Sequence, residues 1–381
     1  MTAYLDNSAT TRPGPFLPAL IRELTESGWY NPSALYKPSL EIQKRMDNVR
    51  EACLQAAGAE GCGLVFTSGG TESDNLALLG HMKTRRTPGQ VLISSVEHPA
   101  VSACAEELRR MGHQVTEIPA SADGSVDLEK LEAIMGPGTA MISLMQVNNE
   151  TGTVEPLEKV AAMRNRLCPE AAIHVDGVQG FLRVPLHFRR LGIQSYAISA
   201  HKIHGLKGTG ALILAPNHSV KPLIFGGGQE SNLRSGTENT FGILALGAAV
   251  RDWQGEDAER MLRMKIRLWK ALQEIIPEVR VNGPDPETGA PHILNVALEP
   301  VRSQTMLFAL EGDGVYVSAG SACASRKQKI SPVLKAMGVN PARADCSIRF
   351  SLSRETTAEE IDYAAERTAF HYGILKKYTR R

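Results

Sequence analysis

The sequence predicts an α/β protein in which a mostly parallel sheet is flanked by helices, with a smaller α+β domain toward the C-terminus. The first observation is a series of short, continuous apolar or β-branched runs, at 91–95, 141–147, 172–176, 196–200 and 211–214. Such runs are typical of strands that are buried on both faces. The second observation is that helical stretches separate several of these runs, which implies right-handed crossovers between parallel strands.

The third observation is a change of character near residue 255. A helix predicted over 256–275 leads through the Pro- and Gly-rich segment 282–291 into a strand-like run, and helix, strand and helix follow. We therefore expect a large α/β domain over 13–255. The smaller α+β domain is expected over 256–381, joined by the N-terminal segment 1–12.

The clearest helix of the larger domain precedes the apolar runs, over 39–57. Its apolar residues recur at spacings of three and four, as on the buried face of a helix; they are Ile42, Met46, Val49, Cys53 and Ala56. The longest uncharged apolar run lies at 241–250. It is shorter than the roughly 20 residues that a membrane span needs, and it favours a buried helix.

The composition is that of an ordinary globular protein. Of the 381 residues, 43% are hydrophobic and 22% are charged. The 42 Lys and Arg residues against 41 Asp and Glu give a formal net charge of +1, which argues against a protein that neutralises nucleic-acid phosphates broadly. The 5% of aromatic residues argues against base-stacking platforms. We expect no direct nucleic-acid partner and no membrane partner.

The six cysteines are too few for a disulfide scaffold, and none of them falls in a C-x-x-C pair. The usual zinc and dithiol spacings are therefore missing. The N-terminus lacks the basic and apolar regions of a signal peptide. These features predict a soluble, cytoplasmic enzyme or binding protein.

Four loops carry candidate functional residues, and each follows a predicted strand, where open α/β sheets bind ligands. In the first loop, Ser68-Gly69-Gly70-Thr71 precedes an apolar helix that opens at Glu72. Converging backbone N–H groups and a helix N-terminus favour an anion there. The pattern matches neither the dinucleotide motif nor the P-loop. The alternative is a tight turn with an N-cap.

The second and third loops supply a carboxylate and an amine. Asp176 ends an apolar run, where a carboxylate is costly unless it is paired; an N-cap role is the alternative. Lys202 lies between an apolar strand and a Gly-rich turn. A partly desolvated lysine is a better nucleophile, whereas an isolated lysine is usually a surface residue. His201 and His204 lack the Cys or carboxylate neighbours of a metal site, so we expect no metal.

The fourth loop, 316–328, places Cys323 among Ser, Ala and Gly residues, with Arg326 and Lys327 close behind. This composition predicts an exposed loop. The two cations favour a reactive thiolate at Cys323. The patterns around the other five cysteines favour structural roles.

Together the loops match what pyridoxal 5'-phosphate requires of a protein. The first loop would hold the phosphate, and Lys202 would form the Schiff base. Asp176 would keep the pyridine nitrogen protonated, so that the ring acts as an electron sink. Each loop is a weak indication alone, and the combination points to this cofactor.

Segments along nearly the whole chain resemble the cysteine desulfurases of the NifS/IscS type, in the class V aminotransferase family of pyridoxal-phosphate enzymes (fold type I). In order, these segments are YLDNSATT (4–11), FTSGGTESDN, EHPAV, VNNETG, HVDGVQ, SAHKIHGLKG, GGGQESNLRSGT, SAGSACAS and SIRFSLSRETTAEEID (347–362). The resemblance implies that the larger domain binds pyridoxal 5'-phosphate.

The resemblance also implies roles for residues around the cofactor ring. Lys202 matches the Schiff-base lysine, and Asp176 matches the partner of the pyridine nitrogen. His98 matches the imidazole that stacks on the ring and moves protons. Gln179 matches the donor to the ring hydroxyl oxygen.

Further matches concern the phosphate. Thr71, Ser199 and His201 match phosphate ligands, and Gly70 supplies a backbone N–H. Thr237 matches a phosphate contact delivered from the second subunit, which implies an obligate homodimer.

The implied reaction removes sulfur from L-cysteine and releases L-alanine. Asn149 and Arg349 match the groups that hold the substrate carboxylate, a task that suits the bidentate geometry of a guanidinium. Cys323 takes the sulfur as a persulfide. It passes this sulfur to an acceptor protein, either an iron–sulfur scaffold or an enzyme of tRNA or cofactor thiolation.

Several alternatives stay open beside this reading. Selenocysteine lyase, cysteine-sulfinate cleavage and aminotransfer are other reactions of the same cofactor, although an aminotransferase needs no thiol at Cys323. A sulfur-relay protein without catalysis is an alternative of another class.

The sequence also departs from the family: His204 and Leu206 stand where members commonly have Tyr and Pro. The segment after Cys323 is more basic than usual, and the short C-terminus leaves the acceptor open.

Overall fold

The computed structural model describes residues 1–319 and 330–378. Its strands, in chain order, are β1 (Ala3–Tyr4), β2 (Gly63–Thr67), β3 (Gln90–Ser94), β4 (Gln114–Ile118), β5 (Thr139–Met145), β6 (Ala172–Asp176), β7 (Ser195–Ser199), β8 (Gly210–Leu214), β9 (Arg280–Val281), β10 (Ile293–Ala297), β11 (Val315–Tyr316) and β12 (Ser347–Ser351). Its helices are α1 (Leu17–Ser27), α2 (Lys37–Ala56), α3 (Gly70–Met82), α4 (Pro99–Arg110), α5 (Leu128–Ile134), α6 (Leu157–Leu167), α7 (Phe188–Leu191), α8 (Thr240–Asp252), α9 (Glu256–Ile275), α10 (Ser303–Gly312), α11 (Pro332–Ala336), α12 (Pro341–Asp345) and α13 (Ala358–Leu375).

The largest sheet in the described part of the chain has seven strands, in the order β2-β8-β7-β6-β5-β3-β4. Only β8 runs against its neighbours: it pairs antiparallel with both β2 and β7, and the pairs from β7 to β4 are all parallel. The sheet is therefore mostly parallel, as the sequence predicts. Ten residues separate the end of β7 from Gly210, where β8 begins. This connection is too short for a helical crossover, so the chain has to reverse.

Both faces of this sheet are covered by helices. Successive strand residues point to opposite faces, and they fall into different apolar clusters. Leu92 and Ile142 pack in a cluster with residues of α2, α6 and α8. Their strand neighbours Val91 and Met141 pack in another cluster, with residues of α3 and α4. This is the two-sided burial that the continuous apolar runs predict.

A smaller antiparallel sheet, in the order β12-β10-β9, is built from the C-terminal part of the chain. The N-terminus joins this region, since β1 pairs in parallel with β11. Ala3 and Leu5 are fully buried in one cluster with residues of α9, α10, α13 and β12. The α/β fold with a smaller C-terminal α+β region is thus the one that the sequence predicts. In the described part of the chain, no helix combines the length and the apolar character that crossing a bilayer requires.

The register of the large sheet brings three loops together at one edge. Gly210, the first residue of β8, pairs with Thr67 at the end of β2 and with Ser199 at the end of β7. Asp176, at the end of β6, pairs with Ala197. The loops after β2, β6 and β7 therefore leave the sheet side by side, at the carboxyl edge where ligands bind in such sheets.

Candidate active site

A cavity of about 250 Å³ lies at this edge of the sheet. Ten of the twelve residues proposed from the sequence line it: Gly70, Thr71, His98, Asn149, Asp176, Gln179, Ser199, His201, Lys202 and Arg349. Thr237 is exposed and does not line the cavity of its own chain. Cys323 lies outside the described residues. No group of three or more His, Cys, Asp or Glu side chains in residues 1–319 and 330–378 is placed to hold a metal ion.

The first wall of the cavity is the start of α3. Gly69 has a φ of 150°, a backbone conformation that is essentially confined to glycine. A Cβ atom at Gly70 would come within 2.5 Å of Val178 Cγ2. Two glycines therefore let the backbone approach the loop after β6, and the N-terminus of α3 opens toward the cavity with the partial positive charge that favours an anion.

Beside the start of α3 lies His201, whose Nδ1 is 3.1 Å from Thr10 Oγ1. Burial, reinforced by the cations of Lys202, Lys207 and Arg183, lowers the pKa of His201 to about 4. The imidazole is therefore uncharged at neutral pH, in surroundings that are electropositive. Such surroundings suit an anionic group.

Asp176 lines the cavity, and it is almost fully buried. Its Oδ1 accepts a hydrogen bond of 2.9 Å from Val178 N. Burial, followed by the nearby Asp74, raises the pKa of Asp176 to about 7. A carboxylate in such a place is stabilised by a cation that binds next to it.

A second buried carboxyl group, Asp74, also lines the cavity, and the sequence reasoning missed it. Asp74 Oδ1 is 3.2 Å from His174 Nε2, and His174 Nδ1 is 2.9 Å from Ser195 Oγ. Burial raises the pKa of Asp74 to about 8 and lowers that of His174 to about 4. Both groups are therefore mainly uncharged at neutral pH. A signal was present, because Asp74 follows Gly70 by one helical turn and so lies on the same face of α3.

His98 occupies the N-cap of α4. Its Nδ1 accepts a hydrogen bond of 3.1 Å from Ala100 N. Burial lowers the pKa of His98. The charge of Asp176 opposes this shift, and the charge of Lys202 adds to it. Since Nδ1 is engaged as an acceptor, the proton of the neutral ring lies on Nε2.

Lys202 is held by the N-terminal segment of the chain. Its Nζ donates to the carbonyl oxygens of Ser8 and Ala9, at 2.6 and 2.8 Å. Its own carbonyl accepts a hydrogen bond from the Arg183 guanidinium. Ser8 and Ala9 also line the cavity, so the N-terminal segment contributes to its wall.

Arg349, in β12, lines the cavity and is 2% exposed. One terminal nitrogen donates to Asp6 Oδ1 at 2.7 Å, and the other donates to the carbonyl oxygen of Asn149 at 2.8 Å. The guanidinium is therefore fixed by groups from two distant parts of the chain. This arrangement places a positive charge at the cavity on a rigid strand.

Comparison with known proteins places this site in a family. Residues 3–364 match the model of the family described as Aminotransferase class-V. A protein named cysteine desulfurase from Cereibacter sphaeroides is 40% identical over 95% of this chain and 94% of its own length. A cysteine desulfurase IscS from Photorhabdus laumondii is 38% identical over 98% of this chain and 93% of its own.

The chain belongs to the cysteine desulfurase group of the class-V aminotransferases. Solved structures of similar fold agree with this family assignment. One titled NifS-like protein has a TM-score of 0.91 and 31% identity, and covers 98% of this chain and all of its own. A NifS-like protein from Rickettsia africae has a TM-score of 0.86 and 29% identity, with 97% and 99% covered.

His204 and Leu206 are expected from the sequence to depart from the pattern of the cysteine desulfurases, and the structure shows what His204 contacts. His204 adopts a φ of 70° and is 2% exposed. Its Nδ1 lies 2.9 Å from the carbonyl oxygen of Arg12, and its N–H donates to Thr11 Oγ1. His204 thus fastens the N-terminal segment next to Lys202. Leu206 is half-buried beside a separate surface groove.

Proposed function

We propose that this protein is a pyridoxal-phosphate-dependent cysteine desulfurase, which takes sulfur from L-cysteine and releases L-alanine. The observation that carries the proposal is the convergence of Lys202, the buried Asp176 and the start of α3 on one cavity. The names of relatives at 36–40% identity support the same reaction.

The donor set of the cavity fits the cofactor. Gly70, Thr71, Ser199 and His201 would hold its phosphate, where the α3 N-terminus favours an anion. Asp176 would hold the pyridine nitrogen, since a protonated ring nitrogen would stabilise the charged form of this buried carboxylate.

Three further residues would complete the cofactor site. Gln179 would donate to the ring hydroxyl oxygen, His98 would stack on the ring, and Lys202 would bind the aldehyde carbon. When bound, the cofactor supplies an electron sink for negative charge that develops at the substrate Cα.

Two other residues that line the cavity would bind the substrate. Arg349 would hold the carboxylate of L-cysteine together with Asn149. Because Asp6 and the Asn149 carbonyl already fix the guanidinium, little conformational entropy is lost when the carboxylate binds.

Protons would be moved by two groups in the cavity. Lys202 Nζ would take the proton from the substrate Cα, since a desolvated amine is an effective base near neutral pH. His98 would exchange protons through Nε2 alone, because its Nδ1 accepts from Ala100 N.

Cys323 would receive the sulfur. As the bond between the substrate Cβ and sulfur breaks, its electron pair stays with the carbon, and a sulfur–sulfur bond forms on the Cys323 thiolate. The carbon then takes a proton and becomes the methyl group of alanine. The persulfide would pass its outer sulfur to an iron–sulfur scaffold or to an enzyme of tRNA or cofactor thiolation. The name IscS among the relatives supports an acceptor in iron–sulfur assembly.

We further propose that the enzyme is a cytoplasmic homodimer, in which Thr237 contacts the phosphate in the partner's cavity. Thr237 is exposed on the single chain. Large apolar side chains are also exposed, at Trp29, Leu35 and Phe225, and covering such surfaces by association is favourable. The five described cysteines are unpaired thiols, which supports a reducing compartment.

The decisive experiment is peptide mass spectrometry of the cofactor-loaded protein after treatment with L-cysteine and without reductant. We expect one extra sulfur on Cys323 and release of alanine. The extra sulfur should be absent from Lys202→Ala, which keeps Cys323, and from Cys323→Ser, which keeps Lys202. A loaded protein whose absorption spectrum changes with L-cysteine, but whose Cys323 gains no sulfur, would point to another reaction of the same cofactor.

A further inference from the structure

His292 lies behind the cavity and contacts it through Gln179. It immediately precedes β10 and is fully buried. Its Nε2 is 3.2 Å from Gln179 Oε1. Gln179 lines the cavity, whereas His292 does not. The pair therefore connects the smaller sheet to the loop after Asp176.

The orientation of the Gln179 carboxamide follows from its second contact. The amide nitrogen of Gln179 lies 3.0 Å from the carbonyl oxygen of Ser8. A backbone carbonyl only accepts hydrogen bonds, so the amide NH₂ group has to face Ser8. The amide oxygen, Oε1, then faces His292.

The position of the proton on His292 follows in turn. Gln179 Oε1 only accepts, so a hydrogen bond between the two requires a proton on His292 Nε2. Burial, reinforced by the charges of Arg183, Lys265 and Arg349, lowers the pKa of His292 well below its ordinary value. The ring is therefore neutral, and its single proton is used in this contact. His292 Nδ1 has no hydrogen-bond partner among the described residues. This is consistent with an Nδ1 that carries no proton.

We propose that His292 is a positioning residue, whose Nε2–H holds the Gln179 carboxamide with its NH₂ group toward Ser8 and the cavity; this rests on the cofactor-binding role proposed for Gln179. The alternative orientation would bring the amide oxygen against the carbonyl oxygen of Ser8. It would also present an acceptor where the ring hydroxyl oxygen of the cofactor needs a donor.

The Gln179 amide group also shares an acceptor with the amine of Lys202. The carbonyl oxygen of Ser8 accepts from both Gln179 Nε2 and Lys202 Nζ. A Gln179 amide that turned would therefore disturb the acceptor that holds the lysine amine. His292 thus acts on two groups of the site without touching either substrate or cofactor.

A matched pair of substitutions tests the proposal. His292→Gln places an amide nitrogen about where Nε2 lies and keeps a donor, whereas His292→Met has a similar length and no donor. We expect the Met variant to bind pyridoxal 5'-phosphate roughly tenfold more weakly, as the loss of one orienting hydrogen bond implies. Its visible absorption band should also shift. The Gln variant should bind nearly as well as the unchanged protein.

A double-mutant cycle separates positioning from folding. Because His292 acts through Gln179, His292→Met should weaken cofactor binding in the unchanged protein but have little further effect in Gln179→Leu. Thermal melting of each cofactor-free variant measures the structural cost, and only variants with a folded baseline enter the cycle. In the cofactor-free protein, ¹⁵N NMR of labelled histidine should show the Nε2–H tautomer at His292.

The outcomes are distinguishable from a failure of the proposed function. If the unchanged protein does not bind the cofactor, the proposed function fails, and the NMR tautomer still tests the contact itself. Equal cofactor affinity in the Met and Gln variants would overturn the positioning role. So would an Nδ1–H tautomer, or an effect of His292→Met that persists in Gln179→Leu.

Discussion

Asp74 is a carboxyl group whose protonation is governed by burial. Its pKa rises from an ordinary value of 3.8 to about 8, so the folded protein keeps a proton that the unfolded chain releases. Stability therefore falls as pH rises from about 4 to about 8. We expect Asp74→Asn, which resembles the protonated acid, to remove this dependence. Between pH 5 and 7, the unfolding free energy of the cofactor-free variant should therefore fall less steeply than that of the unchanged protein. The difference between the two slopes should be up to about 1.4 kcal/mol per pH unit.

Asp47, exposed on α2, provides the control for this measurement. Asp47→Asn should leave the pH dependence of unfolding close to that of the unchanged protein. Urea titrations at several pH values measure both slopes. If Asp74→Asn and Asp47→Asn have the same slope, then Asp74 is ionised in the folded state and its role as a neutral hydrogen-bonding group is wrong.

The residues at the carboxyl edge differ in how visible they are in the sequence. Asp176 and Lys202 follow apolar runs, so the cost of a charge in that place marks them. Ser8 and Ala9 contribute carbonyl oxygens to Lys202. Every residue has such an oxygen, so no side-chain pattern marks them. His292 contacts Gln179 across 113 positions of the chain, and this pairing depends on how the two sheets meet.

At the level of elements, β8 can approach the start of α3 closely because Gly210 has no side chain. A Cβ atom at Gly210 would lie 2.5 Å from the carbonyl oxygen of Ile198 and 2.6 Å from Gly69 Cα. Both are backbone atoms, so no side chain can move aside. We expect Gly210→Ala to displace the start of α3, to destabilise the protein by about 1–3 kcal/mol and to weaken cofactor binding. Chemical denaturation and a cofactor titration measure the two effects.

Gly136 offers the matched comparison, because a Cβ atom there would meet no atom within 4 Å. Gly136→Ala should therefore leave both stability and cofactor binding nearly unchanged. A Gly210→Ala protein that binds the cofactor as well as Gly136→Ala would show that the close approach to Gly69 does not shape the anion site.

The elements themselves were largely predictable, since apolar runs and helical periodicity mark them. The helix predicted over 256–275 matches α9 (Glu256–Ile275), and the one predicted over 39–57 matches α2 within two residues. The direction of β8 was not evident from its apolar run alone. It follows from the short connection after β7, and that connection carries Lys202. The role of His204 was also hidden, because its contact with Arg12 joins segments 192 positions apart.

At the level of the whole molecule, the proposed dimer makes a sharp prediction about Thr237. In a heterodimer of one Lys202→Ala chain and one Thr237→Ala chain, a Thr237 that acts across the interface leaves one site intact. We expect such a heterodimer to have about half of the unchanged activity at limiting cofactor. Two affinity tags allow its purification after co-expression.

Each homodimer serves as a control in this experiment. The Lys202→Ala homodimer should be inactive, and the Thr237→Ala homodimer should need more cofactor. If Thr237 acts within its own chain, the heterodimer has no intact site. Its activity at limiting cofactor should then be far below half of the unchanged activity. Sedimentation measures the oligomeric state independently.

We propose the division of the chain into domains at 255/256, with residues 1–12 in the smaller one. Two separate apolar clusters support it: Ala3 and Leu5 pack with C-terminal residues, whereas the residues of α2 pack against the large sheet. Composition and periodicity predicted the two regions. The site between them was predictable only in part, because Arg349 and Asp6 reach it from the smaller region through contacts that no local pattern shows.

The parallel pairing of β1 with β11 has a consequence for how the protein is made. Ala3 leaves the ribosome long before its partner Val315, and Asp6 long before its partner Ser351. Residues 3–6 must therefore stay without these partners until Val315 and Ser351 have been synthesised, although the large sheet can already form. The carbonyl groups that hold the Lys202 amine come from this waiting segment. The cavity in its final form can therefore be completed only after Ser351 has been synthesised.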